Sequence, residues 1–381
     1  MSTPSYRSIS GRRLWALCRK ETVQIFRDPS SNLIAFVLPL IMLLIFGYGI
    51  NLDSTKVKLA LVVEDSGPEA RLLAESFTGS PYLIITGTHS RAEAEKLLTE
   101  GRVRGAVIVP SDFGSQLARP EGLAPLQVLT DGAEPNTATF VENYTRGIWQ
   151  HWLDQRARER GIILPEEIRL EPRIWFNPSA ISRNYLVPGS ITLIMTVVGA
   201  LLTSLVIARE WERGTMEAML ATPISRTELL LSKLVPYYLL GMVSLLVCVV
   251  VAIVVLGVPF RGSLPMLLTI STFFLLSALG LGLLLSTVTR NQFNAAQGAL
   301  NAAFMPAMML SGFVYEISSM PAPLRAMTYL IPARYFVNSM QTLFQAGDVW
   351  PILWPNLLFL IAAAVYFLGM TARKTRRRLD S

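Results

Sequence analysis

Along the 381-residue chain the apolar positions fall into two patterns. Six runs are apolar almost throughout and carry no charge: 33–50, 185–208, 234–260, 262–289, 291–315 and 349–372. A helix needs about 20 such residues to cross a bilayer, so each run reads as a span. The last four runs exceed the helix each must contain, which leaves their ends less sharply set than their centres. The first run follows 32 residues and has no small-residue cleavage site after it, so it reads as an anchor and not as a cleaved leader.

The second pattern fills 51–183. Short apolar stretches alternate there with amphipathic ones, as in a small α/β domain inserted between the first two spans. Lys58–Glu64, Arg104–Val109 and Leu126–Leu129 read as strands, and Glu69–Phe77 and Arg91–Leu98 as helices. Thr137–Arg160 reads as a long helix with Val141, Tyr144, Ile148 and Trp152 on one stripe, and Arg173–Phe176 leads back toward the membrane. The expected architecture is an α-helical integral membrane protein with six transmembrane helices and an α/β extracytoplasmic domain between helices one and two.

Composition supports this reading. Hydrophobic residues make up 51% and charged residues 16% of the chain, against about 25% charged in soluble proteins. The formal charge of +7 would suit nucleic acid, but its distribution does not. Residues 51–183 hold 15 Lys and Arg against 18 Asp and Glu, so the positive excess lies in the short segments flanking the apolar runs. Residues 1–32, the 209–233 loop, Arg290 and the 373–381 tail carry 16 basic residues together, whereas the opposite short loops carry only Arg261, Arg325 and Arg334. The positive-inside rule therefore predicts both termini in the cytoplasm of a multi-pass membrane protein. Residues 12–27, with Leu14, Cys18, Thr22 and Ile25 on one face and Leu17 and Glu21 beside it, suggest a short helix lying on the membrane surface. A solvated basic tail is the alternative. The apolar but proline-broken segment 316–348 suggests helices that enter the outer leaflet and return, with a plain surface loop as the alternative.

The chemistry that is missing narrows the function. Cys18 and Cys248 cannot form a disulfide framework, and His89 and His151 cannot supply a histidine-rich metal site. There is no phosphate-binding G-x-x-x-x-G-K-[ST] loop, no Ser-His-Asp set and no His-Glu-x-x-His. The uncharged runs also lack the acids and bases of a proton relay, which counts against an ion antiporter. If the chain pumps, its energy comes from a partner. A membrane-anchored sensor or adaptor acting through the outer domain is the other reading, although six spans exceed what an anchor requires.

The loop after the second run reads AREWERGTMEAMLATP over 208–223. Glu210 with Arg213, and Arg213 with Glu217, have the three- and four-residue spacings of helical ion pairs. Gly214 weakens the helix and leaves room for another backbone. Thr222-Pro223 ends it, and Ser225-x-x-Glu228 is a capping box for the next helix. A short charged helix beneath the membrane has the shape of a lever; a solvated loop with local ion pairs is the alternative.

This run resembles the coupling helix of ABC-2 type permeases, the membrane subunits of ATP-binding-cassette exporters, with Met219 as a mild departure. CRKETVQIFRDPS (18–30), RNQFNAAQGALNAAFMPAMMLSGFVY (290–315) and MPAPLRAMTYLIPARYFV (320–337) extend the resemblance over nearly the whole chain. It implies the six-helix ABC-2, or type V exporter, fold. It implies that Glu210, Glu212, Arg213, Gly214, Thr215, Glu217, Thr222 and Pro223 couple to an ATPase subunit. It also implies a second permease, as a homodimer or heterodimer, with a periplasmic adaptor as a further partner. ATP and magnesium would belong to the ATPase, and this chain would hold no cofactor or metal and perform no catalysis. The cargo would be a hydrophobic or amphipathic compound, drug-like or lipid-like. Asn294, Gln297, Asn301, Met305 and Met308 recur every three or four residues among alanines. They read as helix-packing amides or, alternatively, as a cavity wall whose methionines adapt to varied ligands. Pro188, Gly189, Thr192, Thr196 and Ser204 form a second candidate wall.

Overall fold

The structure, a computed structural model, describes residues 10–49, 56–88, 90–118, 126–130, 135–159, 177, 181–222 and 224–375. The chain divides into two compact units, one of Met1–Asn51 with Ile174–Ser381 and the other Leu52–Arg173.

The first unit opens with α1 (Gly11–Arg27), which Asp28 and Pro29 bring to an end. Residues Pro29–Gly49 then form one helical span in which α2 (Pro29–Asn32) and α3 (Leu38–Leu44) are each followed by a wider π turn, Leu33–Val37 and Ile45–Gly49. Pro39 has no N–H to offer the carbonyl four residues back, which is that of Ala35. The Ser244 hydroxyl donates to that carbonyl instead, at 2.5 Å.

In the second unit the order is β1 (Val57–Val63), α4 (Pro68–Thr78), β2 (Leu83–Thr88), α5 (Arg91–Thr99), β3 (Gly105–Val109), α6 (Phe113–Leu117), β4 (Gln127–Thr130) and α7 (Pro135–Glu159). The strands form a sheet in the order β2-β1-β3-β4, with β1 parallel to β2 and β3 and with β4 antiparallel to β3. Side chains alternate across a strand, so β1 presents Val57, Leu59 and Leu61 to one face and Ala60 and Val62 to the other. The first set packs with Leu73, Phe77, Phe113, Val141 and Trp152, the second with Ala94 and Val103. Covering on both faces explains why β1 and β3 read as unbroken apolar runs. The edge strand β2 and the short α6 were missing from the sequence reading. LIIT at 83–86 was the available signal for β2, weakened by Gly87 and by exposure of alternate residues. The expected stretch Arg173–Phe176 lies outside the described residues.

The helical unit continues with α8 (Ser182–Glu212), α9 (Thr215–Leu220), α10 (Arg226–Val254) and α11 (Leu264–Thr289). Then come α12 (Gln292–Ala299), a π turn (Leu300–Phe304), α13 (Met305–Leu310), α14 (Ala322–Thr328), α15 (Pro332–Gln345) and α16 (Trp350–Lys374). Helix α8 is the centre: 89% of its most apolar stretch is buried, against 28% for Pro29–Gly49 and for α16, whose apolar sides face outward. Small residues let α8 and α11 approach closely. A Cβ on Gly282 would stand 2.4 Å from the Ala200 carbonyl oxygen, and Thr203 donates to the Leu279 carbonyl at 2.9 Å. Helix α16 runs parallel to α11. Asp348, just before α16, accepts from the Ser263 N–H before α11, and Thr371 donates to the carbonyl of Gly280.

The expectation of six transmembrane helices is corrected to five. Among the described residues, Pro29–Gly49, Ser182–Glu212, Arg226–Val254, Leu264–Thr289 and Trp350–Lys374 are long and apolar enough to cross a bilayer; 291–315 is not. Asn294, Gln297 and Asn301 lower its hydropathy, and Pro306 sits where the π turn gives way to α13. These pieces pack along α8. The Gln292 N–H donates to Glu212 at one end of α8, and Tyr185 donates to the Gly312 carbonyl at the other.

Candidate functional site

Expected coupling residues gather where α8 ends. The helix stops at Glu212, Arg213 is its cap, and Gly214 takes a left-handed conformation at φ 69°. A left-handed residue turns the chain sharply, and glycine does this without a Cβ penalty. Nothing lies within 4 Å of the position a Gly214 Cβ would occupy, so any cost of substitution there is in the backbone alone. The six residues of α9 follow. The sequence suggested one stiff helix over 209–221; the structure has a helix end, a left-handed hinge and a single short helix. Neither Arg213 ion pair forms among the described residues.

Within this segment Glu212, Arg213, Gly214, Thr215, Glu217 and Thr222 are exposed, whereas Met216 is buried in the helical core. Thr222 donates to the Met219 carbonyl at 2.6 Å, and Pro223 lies outside the described residues. The capping box forms as the sequence suggested: Ser225 Oγ accepts from the Glu228 N–H at 3.1 Å and the Ser225 N–H donates to Glu228 at 2.7 Å.

Glu210 differs from its neighbours. It is 4% exposed and points into a charge cluster. Lys233, itself 2% exposed, lies 2.8 Å from Glu210 and 2.5 Å from Glu21 of α1. Lys20 reaches the same two carboxylates at 2.7 and 3.1 Å. Burial works against its charge, but the hydrogen bonds and charges of Glu210 and Glu21 outweigh it and hold Lys20 above the usual lysine range. Thr215 donates to both the carbonyl and the carboxylate of Glu210, which ties the start of α9 to this cluster.

Three further contacts frame the segment. Arg209 pairs with Asp28 at 2.6 Å. Burial alone would raise the Asp28 pKa, but donation from Ser31 and Arg209 holds it below the usual carboxylate range. Arg13 pairs with the fully buried Glu228 at 3.0 Å, and the Ser10 N–H donates to the same oxygen at 2.8 Å. The Arg290 guanidinium sits 4.6 Å from the centre of the Trp211 ring. Helix α1 is therefore clamped to both flanks of the segment. Sequence reasoning missed Lys20, Lys233, Arg209 and Asp28 as site residues; the one usable signal was Glu21, an acid beside the apolar face of an amphipathic helix.

The amide stripe lies on the other side of 291–315. Asn294, Gln297, Asn301 and Met305 are exposed and Met308 is half-buried, while Ala295, Ala299, Ala303 and Ala307 are buried. The stripe thus faces away from α8. Behind it, a cavity of about 220 Å³ opens among Thr196, Phe274, Ser277, Ala302, Ala303 and Phe367. Its wall is apolar apart from hydroxyls, and Ser277 Oγ, buried, has no partner among the described residues. Of the second candidate wall only Thr196 lines it. No group of three or more His, Cys, Asp or Glu that could hold a metal ion occurs among the described residues.

Five candidate spans, α8 the most buried of them, with a charged segment at one end, make a multi-pass membrane protein. Residues 30–373 match the family described as ABC-2 family transporter protein, and the chain belongs to that family. It is 57% identical over 372 residues to the probable multidrug ABC transporter permease YbhS of Escherichia coli K12, covering 98% of this chain and 99% of that one. The probable multidrug ABC transporter permease YbhR of the same organism is 29% identical, over 95% and 99% of the two chains. The linearmycin resistance permease protein LnrN of Bacillus subtilis is 20% identical, again over 95% and 99%. The chain is thus the permease subunit of an ATP-binding-cassette transporter, and hydrolysis of ATP belongs to its partner ATPase subunits.

Proposed function

We propose that this permease exports a hydrophobic or amphipathic compound across the bacterial inner membrane, and that the exposed segment from Glu212 to Thr222 receives the motion of the ATPase. The observation that carries this reading is the contrast within the segment. Arg213 and Glu217 present their charges outward, while Glu210, Thr215, Met216 and the capping box root the same segment in α1, α8 and α10, and Glu212 holds Gln292. A push on α9 is thereby passed to α8, the most enclosed helix, and to the base of α10. With the segment, the basic start of α1 and the end of α16 with Arg373 and Lys374 in the cytoplasm, the positive excess lies inside. The broken pieces of 291–315, which run from Glu212 to Tyr185 along α8, carry the chain back between α11 and α16.

The uncovered stripe of Asn294, Gln297 and Asn301 supports a second permease, identical or homologous, against 291–315. Amides left toward lipid would lack partners, and a facing chain or a polar pathway satisfies them. The names of the relatives, two of them probable multidrug permeases, favour a drug-like or lipid-like cargo.

The test is ATP-driven efflux of a hydrophobic dye from vesicles holding the permease with its ATPase subunits. Gly214→Val and Glu217→Ala are expected to lower efflux about tenfold or more while the complex still assembles, a loss worth roughly 1.4 kcal/mol of barrier or above. Efflux at the full rate without the ATPase subunits, or hydrolysis of ATP by this chain alone, overturns the proposal.

A further inference from the structure

At the end of α8 remote from Gly214, roughly 45 Å away along a 31-residue helix, lies a second cavity of different character. It measures about 410 Å³, within the range of small-molecule sites. Its wall comes from the turn after α13, from α15 and from α16: Glu316, Arg334, Asn338, Gln341 and Asn356, with Tyr335 beside them.

Two features distinguish it from a solvent-filled gap. First, Glu316 and Arg334 both line it, yet they form no ion pair with each other, and neither has an oppositely charged partner within 4.0 Å among the described residues. Arg334 is held by its packing. It donates to Thr328, and its guanidinium lies 3.9 Å from the centre of the Tyr329 ring. That leaves most of its five N–H donors for other acceptors. Glu316 accepts from Ser318 at its own turn. Second, the amides are set unequally. Asn356 is satisfied by Asn338 and Ser339 at 2.9 and 3.1 Å, but the buried Gln341 Nε2 has no acceptor among the described residues. A buried donor without a partner is costly, and an occupant of the cavity that brings an acceptor to it removes that cost.

We propose that this cavity binds a zwitterionic head group, with its anionic end on Arg334 and Gln341 Nε2 and its cationic end on Glu316. Two unmatched charges of opposite sign facing one space, Arg334 half-buried and Glu316 exposed, select a ligand that carries both signs. A purely anionic ligand gains Arg334 but meets Glu316, and a cation meets the reverse. The same chemistry is offered by a membrane lipid and by a small zwitterionic cargo. The inference does not depend on the coupling segment or on the ATPase.

The full chain, purified in detergent and stripped of lipid, is titrated with phosphatidylethanolamine or phosphatidylglycerol, and bound lipid is counted by native mass spectrometry. Phosphatidylethanolamine is expected to bind about fivefold more tightly, close to 1 kcal/mol. Glu316→Gln is expected to remove that preference, and Arg334→Gln to weaken both lipids. Asn338→Leu, which narrows the cavity without changing its charge, should lower binding of both, and an unchanged melting temperature identifies variants that still fold. Glycerophosphoethanolamine, which has no acyl chains, separates the sources. If it competes, soluble zwitterions are bound as such; if only the lipid binds, with the preference intact, the acyl chains contribute and the ligand is a lipid. Equal binding of the two lipids by the unaltered chain, or a preference that survives in a folded Glu316→Gln, overturns the proposal.

Discussion

The two units use the same charged residue types in opposite ways. In the α/β unit all but one of the ion pairs among the described residues are local and wet; Arg156–Glu69, 15% and 22% exposed, is the exception. Arg91–Glu95 and Arg146–Glu142 are one helical turn apart, and each side chain is at least 51% exposed. At the Gly214 end of the helical unit the pairs are buried and distant in sequence. Lys233 and Glu21 are each 2% exposed, and 212 residues separate them. A wet pair gains little because water already solvates both charges. A dry pair has given up its hydration, so each partner depends on the other. The helical unit therefore concentrates mechanical cohesion at a few charged atoms around its hinge, whereas the α/β unit relies on two apolar layers.

Substitutions can break that comparison. The largest effect is expected from Lys233→Ala, which leaves the buried Glu21 and Glu210 to share Lys20 alone: about 3 kcal/mol of stability lost, read as thermal unfolding of the purified chain. A loss below about 1 kcal/mol would mean that the cluster is as wet as the surface pairs. Next comes Asp65 in the α/β unit, which accepts from the Gly67 and Gly114 N–H groups at 2.7 Å each. Those bonds hold its pKa below the usual value, so the stability it adds is complete above the ordinary Asp range, near 3.9, and is lost as pH falls through the lower folded value. Pepsin cleavage within 105–117 should therefore rise as pH drops below roughly 4, and Asp65→Ala should raise it already at pH 5. Gly214→Ala is expected to cost about 1–2 kcal/mol of backbone strain, yet to lower coupled ATP hydrolysis more than that loss explains. The smallest effect is expected from Arg146→Ala, roughly 0.3 kcal/mol by the same thermal measurement and less in high salt.

Particular elements show how far the sequence could be read. The capping box at Ser225 and Glu228 was legible because both partners lie within one turn. The runs that became β1 and β3 were legible because apolar layers cover both faces. The segment 291–315 was misread as one apolar spanning helix because its phenylalanines, methionines and alanines outweighed its amides in a count that ignores which side each faces. Arg213 was given ion pairs by spacing alone, but the left-handed Gly214 breaks the helix between Arg213 and Glu217, and Lys20 and Lys233 hold Glu210 away from Arg213. Glu210 was grouped with an outward-facing set although α1 and α10 turn it inward.

Amino-acid order alone determined where apolar helices can form, where they are capped, and that positive charge gathers in the short segments flanking the apolar runs. These properties arise within a few turns of chain, where hydropathy and backbone propensity act locally. Only the tertiary structure decided which charges are dry, which amides stay uncovered and where two opposite charges face one cavity. Each of those depends on groups brought together from distant parts of the chain, such as Ser10 and Glu228, 218 residues apart, and no local pattern records that meeting.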